Sequence, residues 1–221
     1  MIKCISDERK SLAYKAVEVI ASEVADLLIM QRRGHVVLGI CGGGSVEEIF
    51  KALSASESMP WHQVHIFWID ERLDSNDSNE HLARELFLQG LINEKEFPKE
   101  NIHSPKEEGY TEELLALGGF DIILMSSGGD GHVASLFPHH PALQEEDKKF
   151  IIVDDSPKPP KRRITASKAL LQDATTCLLL FYGKEKSVAL KAFSDIDTSI
   201  DECPAVLTKE ITNLYIFTDI I

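Results

Sequence analysis

Disulfide frameworks, metal clusters and membrane spans have little to draw on in this chain. Its four cysteines, Cys4, Cys41, Cys177 and Cys203, are far apart and form no C-x-x-C pair. That fits a reduced compartment and argues against disulfides or a zinc site. No stretch approaches the roughly 18 to 20 apolar residues of a membrane span. Residues 1–10 turn charged before any apolar core region develops, so no secretory signal is expected. Basic residues are scarce: 23 Lys and Arg face 36 Asp and Glu, a formal net charge of −13. A field of that sign repels nucleic acid and anionic membrane. We therefore expect a cytoplasmic protein, a monomer by preference, whose partner is a small molecule and neither nucleic acid nor a membrane. A few Arg and Lys can still build a local pocket for a phosphorylated ligand. The chain has no G-K-[ST] Walker loop, no G-x-G-x-x-G fingerprint, no G-x-S-x-G elbow, no H-E-x-x-H and no internal repeat.

What is there reads as one α/β domain over residues 1–221. Apolar residues make up 43% and charged residues 27%, enough for a core. Short apolar runs at 35–40, 64–69, 121–126, 150–153, 176–182 and 214–218 are candidate strands. Most are continuously apolar, as parallel strands covered on both faces are. Helical patterns lie between them. Leu12, Ala16, Ile20, Val24 and Leu27 recur at helical spacing. Ser45-Val46-Glu47-Glu48 reads as a capping box opening a second helix, and Ser78 and Thr111 read as N-caps of helices at 79–89 and 112–117. Gly183 precedes a helix carrying Val188, Ala189 and Ala192. This alternation predicts a doubly wound, mostly parallel, Rossmann-like sheet with helices on both faces. Ligands of such sheets bind beyond the carboxyl ends of the strands, so the segments after strands are the candidates.

Four segments qualify. Cys41-Gly42-Gly43-Gly44-Ser45 lies between a strand and a helix start, where close backbone approach and free N–H groups suit an anion; a tight turn is the plain alternative. Cys41 itself reads as an inert, partly buried thiol rather than a nucleophile. Asp70-Glu71-Arg72 sits at a strand end, as a site rim or a solvated turn. The following Asp74-Ser75-Asn76-Asp77-Ser78-Asn79 mimics part of a calcium loop, but Asn79 stands where that loop needs Gly. Gly128-Gly129-Asp130-Gly131-His132 places a histidine on a strand-end turn, where it is either a base or a surface histidine. The fourth is basic: Lys158, Lys161, Arg162 and Arg163, then Lys184 and Lys186. One or two of these gripping a phosphate is reasonable. His62 and His65 fall at the start of a strand, the wrong end for a site. His139 and His140 are adjacent in sequence and diverge, so no metal site is expected.

These pieces, in this order, resemble the 6-phosphogluconolactonase family. Gly128-Gly129-Asp130-Gly131-His132-Val133-Ala134-Ser135-Leu136-Phe137-Pro138 is similar to its G-x-D-G-H-x-A-S-L-F-P signature. Asp70-Glu71-Arg72 with Ser78-Asn79 and Ala83-Arg84 resembles its D-E-R…S-N-x-x-x-A-R block. Ser156-Pro157-Lys158-Pro159-Pro160 with Arg163-Ile164-Thr165 resembles S-P-K-P-P…R-[IV]-T, and Gly183 and Lys186 fit G-x-x-K. The resemblance implies hydrolysis of a sugar-phosphate lactone without metal or organic cofactor. His132 would activate water, and Asp130 would orient the turn or the imidazole. Gly42, Gly43, Gly44 and Ser45, with Asp70, Arg72, Arg163 and Lys186, would hold the phosphate and hydroxyls. The family's S-G-G-S-T-P loop departs here at Cys41 and Val46, and Ser126 and Ser127 replace a Gly and an apolar residue. Two alternatives remain. A glucosamine-6-phosphate deaminase would carry F-N-E where this chain has Ser135-Leu136-Phe137. A non-catalytic sugar-phosphate sensor would normally add a DNA-binding helix-turn-helix.

Overall fold

The computed structural model describes residues 1–31, 34–76, 78–94, 97–106 and 108–220. In chain order its strands are β1 (Ile2–Ser6), β2 (Val36–Ile40), β3 (Val64–Trp68), β4 (Asp70–Arg72), β5 (Ile122–Ser126), β6 (Phe150–Val153), β7 (Arg163–Ala166), β8 (Thr176–Phe181) and β9 (Asn213–Thr218). The continuously apolar runs form the inside of a six-stranded sheet of order β1-β9-β8-β5-β2-β3. Every neighbouring pair in it is parallel. All residues of β2 and β8 are buried, and β5 is buried up to Ser126. A strand buried at every position is covered on both faces, which makes this an α/β fold of the expected kind.

The helices are α1 (Arg9–Gln31), α2 (Glu47–Ala55), α3 (Asn79–Ala83), α4 (Gln89–Glu94), α5 (Tyr110–Ala116), α6 (Lys168–Gln172) and α7 (Ser187–Ser194), with a π-wound turn at Arg84–Leu88 joining α3 to α4. The apolar stripe of α1 is its core face: Leu12, Ala16, Ile20 and Val24 are fully buried. Among the described residues no helix is long and apolar enough to cross a membrane.

Several expectations need correction. Three strands were not anticipated. β1 is a mostly exposed edge strand without a continuous buried run, and β4 and β7 are short and polar. β6 does not extend the main sheet. It joins β4 and β7 in a small antiparallel sheet of order β4-β7-β6. Ser45 does not cap α2; Val46 holds that position without a side-chain cap, and the Ser45 hydroxyl accepts from Lys186 Nζ instead. Thr111 does not cap α5, which starts one residue earlier after Gly109. Its hydroxyl instead accepts from the Phe150 N–H at 3.0 Å. Ser78 does cap α3, accepting from the His81 N–H at 3.1 Å. Of the calcium-loop look-alike, Asp74 pairs with Arg162 at 3.0 Å, and Asp77 lies outside the described residues.

Candidate active site

The chain leaves β2 toward β3 and leaves β5 toward β8, in opposite directions along the sheet. Such a reversal opens a crevice at the carboxyl ends of the two strands. The loop after β2 (41–45) and the loop after β5 (127–132) flank it, and the segment after β8 brings Tyr182, Glu185 and Lys186. The small sheet brings Asp70, Arg72 and Arg163. Together they line a cleft of about 400 Å³. Gly42, Gly43, Gly44, Ser45, Asp70, Arg72, His132, Arg163 and Lys186 all border it. Asp130 stands behind His132 instead of on the cleft wall.

His132 Nδ1 lies 2.5 Å from Asp130 Oδ1. A carboxylate only accepts, so the Nδ1 proton points at Asp130 and the lone pair falls on Nε2. Lys158, from the β6–β7 loop, reaches the other oxygen, Asp130 Oδ2, at 2.9 Å. Burial pushes the Asp130 carboxyl up, but hydrogen bonds from His132 and Lys158 outweigh it and hold the group below the usual carboxylate range. The turn is tight around the ring: a Cβ at Gly128 would lie 2.1 Å from both His132 Cε1 and Nδ1. Glycine is required there by the imidazole itself.

Cations line the rest of the cleft beside Asp70 and Glu185. Lys186 is buried, and its Nζ donates to Ser45 Oγ at 2.8 Å and to Ser126 Oγ at 2.7 Å. Its third N–H has no partner among the described residues and can meet an anion. Burial holds this ammonium below the ordinary lysine value. In the antiparallel pairing of β4 and β7, Arg72 stands directly opposite Arg163. Like charges in that register repel, and an anion between them removes the cost. Arg163 is fixed by donating from Nε to Pro160 O at 3.1 Å and from Nη2 to Pro159 O at 3.0 Å. Asp70 is buried beside it and accepts from Ser135 Oγ at 2.9 Å. Burial pushes the Asp70 carboxyl up, opposed by that hydrogen bond and by Arg163 and Arg72.

The structure gives roles to further residues at the site. Glu71 is fully buried and its carboxylate accepts from the N–H groups of Arg72 (2.6 Å), Asn79 (2.8 Å) and Glu80 (2.8 Å) and from Ser78 Oγ (2.9 Å). It ties β4 to the start of α3, where a carboxylate also meets the helix dipole. Asn79 donates to Asp70 O at 3.0 Å. Its Oδ1 has no partner among the described residues and presses on Gly42, where a Cβ would come within 2.1 Å. Arg9 and Tyr182 also line the cleft, and Arg9 pairs with Asp219 at 2.5 Å. Cys41 is buried and its thiol is pushed up to about 12 by that burial, which makes it inert. His65 lies near the amino end of β3, bonded to His103 at 2.9 Å and away from the cleft.

A family model described as glucosamine-6-phosphate isomerases/6-phosphogluconolactonase matches residues 7–216 of the chain. A 6-phosphogluconolactonase of Borreliella burgdorferi is 33% identical over 199 residues, covering 84% of each chain. One of Synechocystis is 36% identical over 131 residues, where the match takes in half of this chain and 52% of the relative. The crystal structure of a 6-phosphogluconolactonase from Shewanella baltica superposes with a TM-score of 0.80 at 26% identity, covering 99% of this chain and 97% of that one.

Proposed function

The chain belongs to the glucosamine-6-phosphate isomerase/6-phosphogluconolactonase family, and from that premise we propose that it hydrolyses 6-phospho-D-glucono-1,5-lactone to 6-phosphogluconate, a step of the oxidative pentose phosphate pathway, with His132 as general base. The observation that carries this reading is that a histidine with its Nδ1 proton fixed by Asp130 shares one cleft with Arg72, Arg163 and Lys186. Four cations, Arg9 included, line the cleft against Asp70 and Glu185. A protein of net charge −13 thus focuses positive potential where a phosphorylated substrate enters.

The phosphate is gripped by Lys186 and the Arg72–Arg163 pair, with the N–H groups of the 42–45 turn adding donors. Anchoring it holds the lactone carbonyl at His132 and makes the attack effectively intramolecular. A water gives its proton to His132 Nε2 as its oxygen bonds to the carbonyl carbon, and the carbonyl electrons move onto oxygen. The oxyanion then collapses, the bond to the ring oxygen breaks, and that oxygen takes the proton from His132. One water is consumed, the imidazole returns to its neutral form, and no metal or organic cofactor is required. Within the family, lactonase is favoured over deaminase because Ser135, Leu136 and Phe137 occupy the deaminase F-N-E stretch. All three are fully buried and none is a carboxylate. We further assign the reaction to a single-domain, cytoplasmic protein, a monomer by preference.

The test is lactone hydrolysis corrected for the spontaneous rate. His132→Ala and His132→Asn should lose about a hundred- to ten-thousandfold in kcat, as loss of a general base does, and still bind 6-phosphogluconate. A folded His132→Ala protein with parental turnover would remove the base from the mechanism.

A further inference from the structure

Lys158 is the one basic side chain of the β6–β7 loop that meets the catalytic pair. Its neighbours point elsewhere: Lys161 Nζ donates to Ser156 O at 2.9 Å, and Arg162 pairs with Asp74 and Asp154. The backbone around Lys158 is pinned. Ser156 Oγ donates to Lys158 O at 2.8 Å, and Arg163 Nη2 donates to Pro159 O at 3.0 Å. The ammonium so placed lies 2.9 Å from Asp130 Oδ2 and 3.3 Å from His132 Nδ1.

Nδ1 donates to Asp130 and cannot also accept from Lys158. The Lys158–His132 approach is therefore electrostatic, with both cations, the ammonium and any imidazolium, drawing on one carboxylate. A lone carboxylate 2.5 Å from Nδ1 favours the imidazolium, which has no lone pair and cannot take a proton from water. A cation at 3.3 Å opposes that protonation and occupies half of the carboxylate. We infer that Lys158 is a positioning residue that keeps His132 in its neutral, base-competent form by sharing Asp130 with it. This rests on the reading of His132 as the base. Lys158 meets Asp130 at 2.9 Å and is not among the residues bordering the cleft, which places its action on Asp130.

The other groups facing the pair are common to the parent and the Lys158 variants. Arg163 stands over the Phe137 ring, 5.5 Å from its centroid, and that ring lies 4.6 Å from the imidazole. The Cys203 thiol, 3.9 Å from Gly131 O, is pushed up by burial and stays neutral. Asp70, Arg72, Glu185 and Lys186 share the cleft with His132. A difference between parent and variant therefore reads the Lys158 charge.

The experiment compares parent, Lys158→Gln and Lys158→Arg by NMR titration of the His132 ring in the ligand-free protein and by the pH dependence of kcat/KM for the lactone. Lys158→Gln should move both the titration midpoint and the acid limb to higher pH by about 0.7 unit, the effect of one charge at roughly 4 Å in water. Lys158→Arg should restore both, and affinity for 6-phosphogluconate at pH 8 should be unchanged in either variant. An unmoved or lowered midpoint in Lys158→Gln overturns the inference, as does a loss of product affinity without a shift, which would make Lys158 a ligand contact. The two readings fail separately. If the parent does not exceed spontaneous hydrolysis, the lactonase reading falls, while the ring titration, which needs no activity, still decides Lys158.

Discussion

Gly128→Ala is a one-methyl change aimed at the imidazole. The added Cβ would stand 2.1 Å from His132 Cε1 and Nδ1 and 2.7 Å from Asp130 Oδ1. Ordinary carbon contacts are about 3.5 to 4.0 Å, so the ring must retreat by roughly 1 Å or more. The backbone is the costlier part to move: the Gly128 N–H donates to His132 O at 2.8 Å and its carbonyl accepts from the Gly131 N–H at 3.1 Å. The side chain yields instead, swinging away from Asp130 and from the substrate carbonyl. A misplacement of about 1 Å costs on the order of a hundredfold. We expect kcat to fall by about that factor, KM for the lactone to stay within about threefold because Lys186, Arg72 and Arg163 are untouched, and the melting temperature to drop by only a few degrees. The assay is initial-rate hydrolysis with the spontaneous rate subtracted, beside a thermal melt. Parental kcat in a folded Gly128→Ala protein would refute the argument, because the imidazole could then leave its observed place without consequence.

Two further substitutions probe the anchoring groups. Lys186→Gln should raise KM about ten- to a hundredfold with a smaller change in kcat, the worth of one charge-assisted hydrogen bond. A phosphate monoester is already fully charged above about pH 6 to 7. Because burial depresses the Lys186 ammonium, rising pH strips its charge earlier than that of an exposed lysine. Affinity of the parent for 6-phosphogluconate should therefore fall toward alkaline pH, and a flat calorimetric affinity from pH 7 to 10 would exclude Lys186 as the anion's partner. Glu71→Ala leaves three backbone donors and the Ser78 hydroxyl without their acceptor. It should cost about 3 kcal/mol in urea denaturation, and near-parental stability would show that water replaces the carboxylate.

The legible part of this protein is the part with local causes. A strand buried on both faces must be apolar at every position, so β2, β5 and β8 stand out as runs. A strand-end turn that hugs a side chain needs glycine, so the loops before Ser45 and His132 stand out as well. β4 had no such signature. Asp70-Glu71-Arg72 is three charges, and its strand conformation comes from pairing with β7, more than 90 residues further along the sequence. The anchoring role of Glu71, named with its neighbours as a site rim or a solvated turn, is illegible for the same reason. A glutamate is ordinarily exposed, and its burial is stabilised by donors that only the finished fold assembles. Arg9 reaches the cleft through Asp219, from the far end of the chain.

Within the basic loop, charge alone offers four cations and no reason to choose among them, and only the family resemblance singles out Arg163. Strand geometry supplies the reason. Successive side chains of a strand point to opposite faces, so when β7 begins at Arg163, that residue and Thr165 share one face while Arg162 falls on the other. The contacts follow this alternation. Arg163 and Thr165 both meet Ser135, at 3.4 Å and 3.1 Å, and Arg162 turns out to Asp74 and Asp154. The glycine loop teaches the complementary point. The glycine loop reads as an anion cradle or a tight turn, and the nearest atom to the missing Cβ of Gly42 is Asn79 Oδ1. The glycine admits Asn79, which donates to Asp70 O and keeps a buried Oδ1 without a partner among the described residues. One residue's missing side chain thus sets the position of another's polar atom, a dependence between positions 37 apart that neither segment's own pattern contains.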